Sequence, residues 1–129
     1  MKNAIVTGAS NGIGLEISKK LTENNYYVGM IDIDKENLIK ESEKIHNTIP
    51  IEGDVTNEES IKNALKTFNK TPDLIVNNAG IVIFGSLEEQ SVEDFKKSVD
   101  VSLIGSYLVS RLSIEAMIKK KSGCIINMS

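Results

Sequence analysis

The stretch Thr7-Gly8-Ala9-Ser10-Asn11-Gly12-Ile13-Gly14 decides the fold of this chain. It follows Ala4-Ile5-Val6, an apolar run that predicts a buried strand, and it leads into a repeat at Ile13, Ile17 and Leu21 that predicts a helix. Glycines at such a junction let the backbone turn tightly and let a pyrophosphate approach the free N–H groups of the helix. A plain glycine-rich turn is the alternative, but the strand–turn–helix context favours a dinucleotide-binding loop.

Short apolar bursts recur along the rest of the chain, at residues 27–31, 49–51, 74–76 and 124–126, with helical patterns between most of them. Near-continuous apolar strands suit a parallel sheet that is covered on both faces. The alternation therefore predicts βαβ units and one α/β domain over residues 1–129. Within the last burst, we expect Cys124 to be a small buried hydrophobe.

The composition excludes several classes of protein. Of the 129 residues, 40% are hydrophobic and 26% are charged, which is typical of a globular domain. The net charge of −3 argues against a nucleic-acid surface. A single cysteine excludes an internal disulfide framework and favours the cytoplasm. No apolar run approaches the roughly 20 residues of a membrane span, so no membrane association is expected. No cluster of Cys and His predicts a metal site.

Polar residues follow three of the predicted strands. Asp32 lies 18 residues after Gly14, where an acid hydrogen-bonds the adenosine ribose and repels a 2′-phosphate, which favours NAD over NADP. An acid that only starts a helix is the alternative. Asp54-Val55 predicts an acceptor for the adenine amino group beside an apolar ring contact, although the pair taken alone is explained more simply by a turn or helix-entry aspartate. Asn77-Asn78-Ala79-Gly80 follows the fourth strand with small residues, which predicts that its backbone approaches a ligand in the crevice. A polar turn is the alternative.

In order and spacing from Lys2 to Ser129, these features resemble the short-chain dehydrogenase/reductase family. The resemblance implies a Rossmann-like three-layer α/β/α fold with strand order 3-2-1-4-5. It also implies an NAD(P)-dependent oxidoreductase that transfers a hydride between nicotinamide and a small alcohol or carbonyl substrate. The cofactor-binding residues that it implies are Gly8, Ser10, Asn11, Gly12, Ile13, Gly14, Asp32, Asp54, Val55, Asn78, Ala79, Gly80 and Val101.

The catalytic residues of that family are not matched. The family uses a Tyr with a Lys four residues later, a Ser at the end of the fifth strand and an Asn on the fourth helix. None of the tyrosines here, Tyr26, Tyr27 and Tyr107, has a Lys four residues later. Ser102 occupies the Asn position, and Ser129 is adjacent to the family Ser.

We therefore expect an incomplete domain, truncated after the fifth strand, that carries the cofactor-binding part and is inactive alone. Two alternatives remain open. The chain is a piece of a split or truncated enzyme that is active when completed, or it is a non-catalytic nucleotide-sensing or interaction module.

The helical pattern from residue 92 to residue 120 is apolar around most of its circumference. A helix of this kind needs burial on more than one side. We therefore expect this fourth helix to contact either a second copy of the chain or a complementing C-terminal part. A fifth strand at the edge of the sheet favours self-association as well.

Overall fold

The computed structural model describes every residue from Met1 to Ser129. Strands and helices alternate as the sequence predicts. The strands are β1 (Lys2–Thr7), β2 (Tyr26–Asp32), β3 (Thr48–Glu52), β4 (Leu74–Asn77) and β5 (Cys124–Asn127). The helices are α1 (Gly12–Glu23), α2 (Lys35–Ser42), α3 (Glu58–Phe68), α4 (Val92–Val99) and α5 (Gly105–Lys120), with a π-helical segment at Asp100–Ile104 between the last two.

The strands form one parallel sheet in the order β3-β2-β1-β4-β5, which confirms the predicted topology. Ala4 of β1 pairs with Val28 of β2 on one side and with Leu74 of β4 on the other. The chain therefore reverses its direction of winding between β1 and β4. In open parallel sheets, ligands bind at such a switch point, beyond the carboxyl ends of the strands.

Alternate residues of the strands supply two separate cores, one on each face of the sheet. Ile5 packs in a cluster with residues of α3 and α5, such as Ile61 and Val109. Val6, the next residue, packs in a second cluster with Leu15 of α1 and Leu38 of α2. Because side chains of a strand alternate between faces, a near-continuous apolar strand requires helices on both sides. The three-layer architecture is confirmed.

The helical region from Val92 to Lys120 is 29 residues long and, by length and composition alone, is apolar enough to cross a membrane. The expectation that no segment reaches this length was therefore wrong. One helix of this kind is weak evidence for a membrane span, because a helix that packs within a domain passes the same test. Here Val109, Ser113 and Met117 of α5 are buried in the fold.

The opposite face of this helical region is exposed, as are parts of β5. Leu103 and Tyr107 are 64% and 59% exposed. β5 is the outermost strand, and Ile126 on it is 43% exposed. The prediction that Cys124 is buried is wrong: its side chain is exposed, and Cys124 belongs to neither of the two buried clusters.

Candidate functional site

A cleft of about 450 Å³ lies at the carboxyl ends of β1, β2, β3 and β4, at the switch point of the sheet. Most of the residues that the sequence assigned to a cofactor line it: Gly8, Asn11, Ile13, Asp32, Asp54, Val55, Asn78, Ala79, Gly80 and Val101. Ser10, Gly12 and Gly14 do not. The lining residues that sequence reasoning missed are Ile31, Ile33, Gly53, Ile81 and Lys97.

The glycine loop after β1 is tightly packed on its inner side and open on its outer side. Gly8 has φ +64, and a Cβ built on it would lie 3.0 Å from the Cα of Ala79. A Cβ on Gly14 would lie only 2.1 Å from the carbonyl oxygen of Gly8. Gly12 has φ +52, and a Cβ there would meet nothing within 4 Å. The loop therefore leaves room for a ligand against its backbone.

The helix that follows this loop leaves its N-terminus unneutralised. Asn11, its N-cap, makes no side-chain capping hydrogen bond, and the first turn of α1 contains no acid. In contrast, side chains of Asp34, Asn57 and Ser91 cap α2, α3 and α4, which all have an acid in the first turn. The first N–H groups of a helix carry partial positive charge, so the free start of α1 favours an anion beside the cleft.

Hydrogen bonds of Thr7 and Asn78 connect the loop after β1 to the loop after β4. The Thr7 hydroxyl oxygen accepts hydrogen bonds from the backbone N–H groups of Asn78 and Ala79, both at 3.0 Å. The Asn78 side-chain amide donates to the carbonyl oxygens of Thr7 and Gly8 at 3.1 and 3.3 Å. Asn78 thus positions the wall of the cleft as well as lining it. Sequence reasoning missed Thr7, whose signal is its place at the end of the first strand.

Asp32 connects the end of β2 to the glycine loop. One carboxylate oxygen accepts from the backbone N–H of Ser10, and the other accepts from that of Asp34, each at 3.0 Å. Each carboxylate oxygen can accept a further hydrogen bond, so Asp32 remains able to bind hydroxyl groups in the cleft. Ser10 itself is only 1% exposed, and its carbonyl oxygen accepts a hydrogen bond from the Asn37 side chain at 2.6 Å. A contact between Ser10 and a cofactor stays a prediction.

Asp54 and Val55 border the cleft at the end of β3. One carboxylate oxygen of Asp54 accepts from the backbone N–H and the hydroxyl of Thr56, at 2.9 and 2.7 Å, so Asp54 also shapes the turn into α3. Val55 is 7% exposed and packs against the start of α5. A Cβ on Gly105 would lie 2.6 Å from a methyl carbon of Val55. Glycine at this position allows the π-helical segment, with Val101, to approach the cleft.

A second groove, of about 510 Å³, is lined by both of the serines that the resemblance places at or beside catalytic positions of the family. Ser102 lies in the π-helical segment and Ser129 follows β5, and both line this groove. Single π-helical turns occur frequently at functional sites. The side-chain amide of buried Asn77 donates to Asn127 and Ser110 next to this groove, at 2.8 and 3.0 Å, and so joins β4, β5 and α5. Tyr107 also lines the groove.

The sequence model of the family described as short chain dehydrogenase matches residues 2–129. An uncharacterised oxidoreductase of Thermotoga maritima is 37% identical over 99% of this chain and 53% of its own length. A probable NADP-dependent dehydrogenase of Haemophilus influenzae is 33% identical, and an NAD-dependent glycerol dehydrogenase of Listeria innocua is 30% identical. The chain covers 52% of each of the latter two, so it spans about half the length of the curated relatives it matches.

A solved structure has the same fold. The 3-oxoacyl-[acyl-carrier protein] reductase of Brucella melitensis, crystallised with bound NAD, superposes with a TM-score of 0.91 at 26% identity. The match covers 96% of this chain and 51% of that protein.

Proposed function

The chain belongs to the short-chain dehydrogenase family, and from this premise we propose that its cleft binds a nicotinamide dinucleotide, with NAD preferred over NADP. The observation that carries the proposal is the uncapped N-terminus of α1 beneath an open glycine loop. Backbone N–H groups and the helix dipole at that point suit a pyrophosphate. The loop residues fit such a group because the outer side of Gly12 is free of contacts.

The preference for NAD rests on Asp32. Its carboxylate lines the cleft, and both of its oxygens are held by backbone N–H groups. A carboxylate in this place accepts hydrogen bonds from ribose hydroxyls and repels a 2′-phosphate. Asp54 and Val55 would hold the adenine, and Val101 would face it from the π-helical segment. The relatives include an NAD-dependent and a probable NADP-dependent dehydrogenase, so the proposed preference for NAD depends on the carboxylate of Asp32 alone.

We propose further that this chain carries the cofactor-binding part of a cytoplasmic oxidoreductase acting on a small alcohol or carbonyl compound. The cofactor, when bound, supplies a hydride donor or acceptor. Ser102 and Ser129 border the groove in which the reacting groups would lie. A tyrosine with a lysine four residues later is not found within residues 1–129. A phenol with its ordinary pKa of about 10 is almost fully protonated at neutral pH and cannot act there as a general base. We therefore expect residues 1–129 alone to show no turnover.

The exposed face of the long helical region and the free edge of β5 favour completion of the site by further polypeptide or by a second copy. Leu103 and Tyr107 leave apolar surface next to the groove, and β5 presents unpaired backbone groups. Light scattering over a concentration series measures the second possibility directly. A monodisperse monomer at all concentrations would exclude pairing between copies.

Titration of the chain with NAD and NADP, followed by NMR chemical shifts of backbone amides, tests the cofactor proposal. We expect shifts at Gly8, Gly12 and Ala79, and tighter binding of NAD. In the Asp32→Asn variant the ratio of the two affinities should move toward NADP by about tenfold, because one like charge is removed.

Asp54→Asn is the matched control for that variant. It removes the same charge on the adenine side, so it should weaken both cofactors without changing their ratio. Absence of shifts in the glycine loop, or an unchanged ratio in Asp32→Asn, would contradict the proposal. Turnover of alcohols by the 129-residue chain would contradict its inactivity.

A further inference from the structure

Lys97 is a cationic residue that lines the cleft and belongs to none of the sequence motifs. It lies on α4 and lines the cleft with Asp32 and Asp54, and it is the only Lys, Arg or His to do so. No ion pair of the structure involves Lys97, whereas many other lysines are paired with acids. Its ammonium group is therefore available to a ligand that occupies the cleft.

The position of Lys97 relative to Val101 places it at the adenine end. The two residues are four positions apart along a continuous helical region, so they lie on the same face, one turn from each other. Both border the cleft and also a smaller adjoining cavity of about 390 Å³ on its outer side. Asp54 borders both spaces as well. Lys97 thus stands, with Val101 and Asp54, on the boundary between the cleft and the outer cavity.

We propose that Lys97 is an adenosine-binding residue, an inference that rests on the proposed function. Its methylene stem covers the outer side of the adenine ring beside Val101, and its ammonium group interacts with the ring. A long cationic side chain buries its stem on apolar surface while its charge stays in water. An ammonium over an aromatic face is attracted by the ring quadrupole. The same charge offsets the carboxylates of Asp32 and Asp54, which line the cleft with it.

Lys96 provides a matched control in the same helix. It is the adjacent residue and carries the same charge, but it borders only the outer cavity and not the cleft. A general effect of positive charge on α4 would be similar for Lys96 and Lys97. A direct contact with adenine would belong to Lys97 alone.

NMR titrations of the wild-type chain and of Lys97→Ala, Lys97→Met and Lys96→Ala with ADP-ribose, AMP and nicotinamide mononucleotide test the proposal at one fixed salt concentration. We expect Lys97→Ala to weaken ADP-ribose and AMP by about two- to fivefold, the value of an exposed cation–π contact. Lys97→Met keeps the stem and should lie between the wild type and Lys97→Ala. Lys96→Ala should bind both ligands as the wild type does.

Nicotinamide mononucleotide separates an adenine contact from attraction of phosphate. It carries a phosphate but no adenine, so its affinity should be the same in all four chains. The proposal is overturned if Lys97→Ala and Lys96→Ala bind AMP equally, or if nicotinamide mononucleotide loses as much affinity as AMP. If the wild-type chain bound no ADP-ribose, both the proposed function and the proposed role of Lys97 would be contradicted. Normal wild-type binding with no effect of Lys97→Ala would remove the role of Lys97 alone.

Discussion

Replacing Gly14 with alanine tests whether the cleft depends on close packing between α1 and the glycine loop. The added Cβ would lie 2.1 Å from the carbonyl oxygen of Gly8 and 2.6 Å from the side-chain nitrogen of Asn78. The first contact is with backbone, so a side-chain rotation cannot relieve it. The loop and the start of α1 must move apart, and the hydrogen bonds from Asn78 to Thr7 and Gly8 must lengthen.

The magnitude follows from opposing contributions. Overpacking costs about 1–3 kcal/mol, and the weakened hydrogen bonds of Asn78 cost about 1 kcal/mol more. The higher helix propensity of alanine offsets about 1 kcal/mol of this loss of stability. We therefore expect Gly14→Ala to lower the free energy of unfolding by about 1–3 kcal/mol. At about 4 °C per kcal/mol for a domain of this size, the melting temperature should fall by about 4–12 °C.

Circular dichroism during thermal unfolding measures this change, and Gly12→Asn is the control. A Cβ at Gly12 meets nothing within 4 Å, and asparagine tolerates its φ of +52. That variant should stay within about 1 kcal/mol of the wild type. The reasoning is refuted if Gly14→Ala melts within a degree or two of the wild type, or if Gly12→Asn is the more damaging change.

Three further predictions concern the opposite end of the sheet and its free edge. Asp73 accepts hydrogen bonds from Lys120 and from the backbone N–H of Asn3, which lower the pKa of its carboxyl from the ordinary value of 3.8. Since the folded pKa lies below the unfolded one, the stabilisation is complete above pH 3.8 and is lost as the pH falls toward the folded pKa. Asp73→Asn should lower the free energy of unfolding, measured in urea at pH 7, by about 1–3 kcal/mol. It should also make the loss of stability in acid less steep, and an unchanged dependence of stability on acid pH would contradict this role of Asp73. Ile126→Lys should reduce the self-association of the chain in light scattering, because charge on an edge strand opposes pairing; equal association of both chains would exclude β5 as the contact. At concentrations at which light scattering shows a monomer, Cys124 should react with a thiol reagent in the native chain as fast as in urea, since its side chain is exposed; slower reaction of the native monomer would contradict that exposure.

The strands and helices follow closely from local patterns, whereas the strand order follows from the resemblance to the family. The apolar bursts become the five strands, and the polar residues before Glu58 and Val92 become helix caps. These features depend on residues that are neighbours in sequence, and their periodicity is readable there. The carboxyl ends of parallel strands meet at one edge of the sheet, so Asp32 and Asp54 are placed in one cleft by connectivity alone.

Orientation and exposure are a different matter, since both depend on what lies across from a residue in space. Ser10 is part of the glycine motif, yet it is buried, and its backbone is hydrogen-bonded to the side chains of Asp32 and Asn37. Cys124 has the pattern of a buried strand residue but is exposed, because burial of a strand side chain requires another segment packed over its face of the sheet. Lys97 has no motif, and the helix that carries it reaches the cleft through packing between Gly105 and Val55. The sequence by itself therefore determined the family, the sheet order and the identity of most cleft residues. Only the tertiary structure decided which side chains face the cleft, because that depends on contacts between segments far apart in the chain.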